Sequence, residues 1–338
     1  MALLDIRNLS VRVGPGRDAL TVVDRISLTV NEGRILALVG ASGSGKSLLM
    51  QAVMMLRRDN ISYSADRFKL DGEDLLKIPS RKRRRIIGQN ISFIMQDPRQ
   101  SLDPTMKIRD QIYEVMPRIP WYHVLSRLKN FFRRTRSKTA AALLHRSGIR
   151  DHERILGSYP AQLSDVECQK IMLAIALASK PRILLLDEPV VNLETASRLQ
   201  VLKLLDRCAK NDRTAVVVIC NDLASVYNFA DEFAFMYAGQ IVERGSRDRI
   251  LNNPRHPYTA SLIRTMLELG RNGRLKRYLP VLSGKHPDYR SMPVGCRFGA
   301  RCRRARRECN RDPEMIISKN EQYRCHFPLE DGALYEDE

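Results

Sequence analysis

No run of about 20 apolar residues occurs in this 338-residue chain, and the longest stretch, IMLAIALA at 171–178, is too short for a membrane-spanning helix. The opening MALLDIRNLS lacks the basic-then-apolar order of a secretory signal, so the expectation is a cytosolic protein with reduced thiols. None of the seven cysteines forms a C-x-x-C pair, which removes the common zinc knuckle. No Phe, Tyr or Trp precedes Tyr63, and there is neither an internal repeat nor a low-complexity tail. Acidic residues are in deficit: 38 Asp and Glu face 57 Lys and Arg, a formal charge of +19 that favours an anionic partner. Nucleic acid, an acidic membrane surface and nucleotide phosphates all satisfy that charge. No recognisable DNA or RNA module accompanies it, so nucleic acid is not expected.

The length fits two domains, or one large α/β domain with an appendage. Residues 1–39 alternate short β-like segments with Gly, Pro and Asn turns and end in the apolar strand ILALV. From about 97 to 180 the pattern is helical and in part basic, and buried strands return in RILLLDEP and TAVVVICND. Strands rich in Val, Ile and Leu, separated by helices, predict a parallel sheet covered on both faces. Beyond Pro254 the composition shifts to Pro, Arg and Cys, which reads as an appendage rather than a continuation of the sheet. The predicted boundaries are therefore 1–253 and 254–338.

GASGSGKS at 40–47 matches G-x-x-x-x-G-K-[ST] between a strand and a helix. Such a loop turns the backbone N–H groups of Gly40, Ser42, Gly43, Ser44 and Gly45 around phosphates. Lys46 neutralises their charge and Ser47 ligates Mg²⁺. In ILLLDEP, Asp187 ends an apolar strand, where it can hold Mg²⁺ through water, and Glu188 beside it can polarise an attacking water. Gln96 ends another strand in FIMQDP, and the Leu163–Ser164 pair precedes a helix in AQLSDVECQK.

That order of motifs resembles the ATP-binding subunits of ABC transporters. The stretches QDPRQSLDPTMKI, HPYTASLI and GCRFGARC resemble the peptide and oligopeptide importer branch, with SADRFKL and ALLHRSGIRDH similar to its Sap-type members. The resemblance spans essentially the whole chain. It implies a P-loop NTPase core of the ABC ATPase type with an antiparallel β subdomain, a helical subdomain at about 97–180 and a small Cys-rich C-terminal extension. It also implies a head-to-tail dimer holding two ATP molecules, each between the P-loop of one subunit and the signature loop of the other, with Ser164 donating to the partner's nucleotide. Gln96 would sense the γ-phosphate and help hold Mg²⁺. Two integral membrane permeases, an extracytoplasmic peptide-binding protein and the cytoplasmic face of a bacterial inner membrane complete the implied setting.

The chain departs from that family's pattern at several positions. The signature glycines are replaced in Leu163–Ser164–Asp165–Val166–Glu167, which adds bulk and negative charge where phosphate is expected and favours a heterodimer. The aromatic platform for adenine is missing, leaving Val13 as an aliphatic contact; one lost stack is worth about 1–3 kcal/mol. Glu194 replaces the usual Asp after the strand with Asp187. Asn221 occupies the position of the switch His, where it can donate an amide hydrogen bond but carries no charge; the alternative is that it caps a following helix. Own turnover is thus expected to be weak, with a largely structural or regulatory nucleotide-binding role as the alternative.

Cys296, Cys302, Cys309 and Cys325 are separated by five, six and fifteen residues. The resemblance implies that they bind a [4Fe–4S] cluster, whose charge the surrounding arginines would offset; zinc with help from His326, or no metal, are the alternatives. Cys168, Cys208 and Cys220 read as small buried apolar residues. The basic stretches KRRRI (82–86) and FFRRTRSK (131–138) read as solvated helix faces or as attraction to anionic lipid.

Overall fold

The computed structural model describes residues 2–56, 58–116, 129–191, 193–270, 282, 284–318 and 321–331. The chain divides into two compact units, Met1–Pro79 with Val217–Glu338, and Ser80–Val216.

The first unit opens with two long antiparallel strands, β1 (Ala2–Val13) and β2 (Leu20–Asn31), paired Leu4 to Val30 and Ile6 to Leu28. Leu4, Ile6, Val11, Ile26 and Leu28 are buried, as the alternating pattern requires. The register shifts between Ile6 and Leu9, next to Asn8, whose φ of 51° marks a bulge. A buried strand, β3 (Ile35–Val39), then runs through the glycine loop into helix α1 (Lys46–Val53). Short strands β4 (Ile61–Ser64), β5 (Arg67–Leu70) and β6 (Glu73–Asp74) complete a five-stranded antiparallel sheet with β1 and β2.

The second unit begins with α2 (Ser80–Asn90), which carries KRRRI, and β7 (Ile91–Ile94). Helices α3 (Pro98–Ser101), α4 (Ile108–Val115), α5 (Lys129–Arg146), α6 (His152–Gly157) and α7 (Asp165–Ala178) follow. Helix α7 packs against α3, α4 and α5. This is the expected helical region; its portion at 117–128 lies outside the described residues. Strand β8 (Ile183–Asp187), buried throughout, pairs in parallel with β7, Ile91 opposite Ile183. Helix α8 (Thr195–Lys210) and strand β9 (Ala215–Cys220) carry the chain back to the first unit.

There β10 (Glu232–Tyr237) pairs in parallel with β3, whose other neighbour is β9, and turns through Ala238–Gly239 into antiparallel β11 (Gln240–Ser246). Both turn residues have positive φ, 45° and 84°, the primed-turn geometry of a two-residue hairpin. A Cβ on Gly239 would stand 2.2 Å from the Val22 carbonyl oxygen, so only glycine fits. Helices α9 (Arg247–Asn252) and α10 (Pro257–Gly270) follow, and then the Cys-rich segment with β12 (Ile316–Ile317) and β13 (Glu321–Tyr323). β13 pairs with β11, and β12 with β13. The C-terminal segment therefore continues the sheet, contrary to the sequence reading: β11 offers an open edge whose N–H and C=O groups need partners. The sheet is mixed rather than wholly parallel for the same reason, since β10 and β11 form a tight hairpin.

Candidate nucleotide site

In the first unit, the buried strand β3 delivers the chain to Gly40, where a Cβ would lie 2.2 Å from the Met236 carbonyl oxygen. Gly43 and Gly45 adopt left-handed φ of 77° and 98°, the alternation that turns successive N–H groups toward one anion. Ser42 and Gly43 are exposed at the tip, Ser44 is fully buried, and Ser47 exposes its hydroxyl in the first turn of α1. Lys46 folds back over the loop. Its Nζ donates to Gly40 O (2.7 Å), Ala41 O (2.8 Å), Ser44 Oγ (3.3 Å) and Asn221 Oδ1 (2.8 Å).

The structure thus brings Asn221 to the loop lysine. Helix capping after β9 falls to the next residue: Asp222 accepts from Ala224 N–H and begins a short 3-10 turn, Leu223–Ser225. The capping alternative for Asn221 is accordingly a role of Asp222. Val13, half-buried at the end of β1, pairs with Leu20 and Ile61.

In the second unit, Asp187 ends β8 with only 7% of its surface exposed. Glu188 follows with φ of 50°, left-handed for a non-glycine residue, and its carboxylate accepts from Gln96 Nε2 at 2.9 Å. Both line a cleft of about 620 Å³ together with Arg99, Asp165 and Gln169. Strand ends β7 and β8 are neighbours, which is why Gln96 and Glu188 meet. Glu194 sits at the N-terminal boundary of α8, where its carbonyl accepts from Arg198 N–H.

The altered signature loop is tied to itself. Ser164 is the N-cap of α7, its Oγ accepting from Glu167 N–H and donating to Glu167 Oε2, while Ser164 N–H donates to the same carboxylate at 2.9 Å. This is a reciprocal capping box. Arg154 pairs with Glu167, and Arg99 donates both to Asp165 Oδ1 (2.9 Å) and to the Leu163 carbonyl (2.8 Å). Burial pushes the Glu167 carboxyl up, but the Ser164 N–H, Arg154 and the Ser164 hydroxyl outweigh it and hold it below the usual range. The Ser-x-x-Glu spacing announces this box in the sequence, whereas Arg99 and Arg154 carry no local signal.

The four C-terminal cysteines line one small cavity with His256, Phe298, Arg304, His326 and Phe327. Burial raises the thiols of Cys296 and Cys302, and that of Cys325 to about 12, with mutual proximity adding to the effect. Among the described residues no group of three or more His, Cys, Asp or Glu is arranged to hold a metal ion. His326 Nε2 instead lies 3.0 Å from the Arg311 carbonyl oxygen. Cys168, Cys208 and Cys220 are buried, as expected. No described helix is long and apolar enough to cross a membrane.

The family described as ABC transporter matches residues 23–191, and the family described as oligopeptide/dipeptide transporter, C-terminal region, matches residues 242–309. The peptide transport system ATP-binding protein SapD of Escherichia coli O6:H1 is 41% identical over 97% of this chain and 98% of its own length. The dipeptide transport ATP-binding protein DppD of E. coli K12 is 35% identical over 98% of this chain and 99% of its own. An ATP-binding cassette solved as a dimer in a post-hydrolysis state with ADP and Pi shares the fold, with a TM-score of 0.60 and 20% identity over 72% of this chain and 98% of that one. With the P-loop at 40–47 and the Asp187–Glu188 strand end both inside the matched span, the chain belongs to the ABC transporter ATP-binding family and is an ABC-type ATPase.

Proposed function

We propose that this chain is the energy-coupling subunit of a bacterial peptide importer, working at the cytoplasmic face of the inner membrane. Its supporting observation is the pairing, in one chain, of a lysine-closed phosphate loop with an extension matched by the oligopeptide/dipeptide transporter C-terminal family. Residues 1–253 form the ATP-binding domain and 254–338 the extension. Its partners are a second, different ATP-binding subunit, two permeases and, indirectly, an extracytoplasmic peptide-binding protein. Nucleic acid is not among them.

The N–H groups of Ser42, Gly43 and Gly45 cradle the phosphates of ATP, whereas the Gly40 N–H donates to the Cys220 carbonyl (3.3 Å) and the Ser44 N–H to the Ala41 carbonyl (3.2 Å), so these two shape the loop; Lys46 exchanges its loop oxygens for phosphate oxygens. Ser47, Asp187 and Gln96 would hold Mg²⁺, which neutralises charge on the transferred phosphoryl group. Glu188 accepts the proton of the water that attacks the γ-phosphorus, giving ADP and phosphate, and Gln96 orients its carboxylate. Asn221 stands beside Lys46 as a neutral amide, its oxygen accepting from the lysine.

The two composite sites of the dimer are unequal in this reading. Ser164 spends its hydroxyl on Glu167, and Asp165 and Glu167 satisfy the α7 N-terminus that would otherwise meet the partner's γ-phosphate. The partner's ATP is therefore held for structure more than for turnover. In the extension, Cys296, Cys302, Cys309 and Cys325 line one cavity; thiolate is the donor a [4Fe–4S] cluster takes, and the four would have to draw together and lose their protons to hold one.

ATP turnover of the reconstituted complex tests the assignment. Glu188→Gln is expected to lower kcat at least about 100-fold. Unchanged turnover would assign the hydrolysis to the partner subunit and leave this chain a structural nucleotide-binding partner.

A further inference from the structure

The phosphate loop has two partners that its own sequence does not announce. Tyr258, at the start of α10, accepts a hydrogen bond from Ala41 N–H at 3.0 Å. Tyr289 donates from its hydroxyl to the Gly43 carbonyl at 2.9 Å. Both tyrosines belong to the C-terminal extension, more than 200 residues along the chain, and to the same compact unit as the loop.

Tyr289 is held in place locally. Arg290 N–H donates to Asp288 Oδ1 and Ser291 N–H to the Asp288 carbonyl, forming a turn around it. Upstream, Arg301 donates to the Leu282 carbonyl at 3.2 Å, and the His286 ring packs on Tyr237 with centroids 5.0 Å apart. Tyr237 in turn packs on Tyr258 at 4.8 Å and edge-on against Phe298 at 5.2 Å. Burial pushes the Tyr258 and Tyr289 phenols up to about 12, so both hydroxyls keep their protons at neutral pH. Burial, with Arg301 and Lys46 nearby, lowers the His286 imidazole from its ordinary value.

Gly43 is where such support matters. It has φ of 77°, and no atom lies within 4 Å of where its Cβ would stand, so packing does not hold the loop tip. Glycine has the largest backbone freedom to lose on being ordered. A peptide unit is planar, so fixing the Gly43 carbonyl also fixes the Ser44 N–H, which donates to the Ala41 carbonyl at 3.2 Å and closes the turn of the loop. At the start of the loop the Gly40–Ala41 peptide is held at both ends, its N–H by the Tyr258 hydroxyl and its Gly40 oxygen by Lys46.

We infer that the C-terminal extension completes the phosphate loop from outside, with Tyr258 and Tyr289 as positioning residues that raise its affinity for nucleotide. The inference rests on the loop being the ATP site. It is tested with the full-length chain by calorimetric titration of MgATP, and with the reconstituted complex by steady-state kinetics. Tyr289→Phe removes one hydroxyl and keeps the ring. The expected result is a Kd and KM for ATP about three- to tenfold higher, one neutral hydrogen bond's worth, with kcat changed less than about twofold and the melting temperature measured without nucleotide unchanged. Tyr258→Phe shifts Kd in the same direction. A wild-type Kd in Tyr289→Phe overturns the inference, with or without a lower melting temperature. Lys46→Ala separates the two readings: if wild type and Lys46→Ala bind ATP alike, the loop is not the ATP site and both readings fail.

Discussion

Asn221 directly follows a buried strand and places its amide oxygen 2.8 Å from the Lys46 ammonium. An amide there is a fixed acceptor for the lysine, whereas an imidazole can carry charge and donate. Asn221→His is therefore expected to raise ATP turnover of the reconstituted complex, read as kcat at saturating MgATP. No change, or a fall, means that holding Lys46 is what the side chain at this position does. Sequence alone located this residue correctly at the strand end but could not tell donor from acceptor, because Lys46 lies 175 residues away. Asp222, its neighbour, takes the capping work through a short local contact.

At the scale of one element, the N-terminus of α7 is the most altered part of the chain. Glu167→Ala removes the reciprocal cap and is expected to cost about 1 kcal/mol, seen as a lower midpoint in urea. Glu167 is held below its ordinary value of 4.5, so its contribution is present above that pH and is lost as pH falls through the lower folded value. Glu167→Gln removes that acid-side slope in melts between about pH 3 and pH 6, while the amide retains part of the cap. An unchanged slope would exclude Glu167 as its source. The cap was legible as Ser-x-x-Glu; the competition between capping and phosphate binding was not, because the motif's family role drew attention to the missing glycines.

At the scale of the whole molecule, Glu243 on β11 is 1% exposed and accepts from the N–H groups of Arg255 (2.6 Å) and His256 (2.8 Å), fastening the start of α10 to the sheet. Burial, against those N–H groups, raises its carboxyl from 4.5 to about 7. A raised folded value means that its contribution is full below 4.5 and is lost as pH rises through about 7. Glu243→Gln is expected to flatten the difference in urea midpoint between about pH 5 and pH 8; a retained difference would assign it to another group. Local patterns in the sequence announced the phosphate loop, the Asp187–Glu188 strand end and Gln96, since each is a short stretch at a strand terminus. The sheet's extension by β13, the aromatic cluster around Tyr237 and the two tyrosine contacts to the loop join residues far apart in sequence, and no local pattern records such pairs.

The first unit is built from both ends of the chain, β3 pairing with β10 nearly 200 residues later, while Ser80–Val216 forms a unit from one continuous stretch. During synthesis the continuous unit is available first. The phosphate loop is made more than 200 residues before Tyr258 and Tyr289. The loop is thus made well before it is finished, and a nascent chain acquires its full grip on nucleotide only once the extension has emerged.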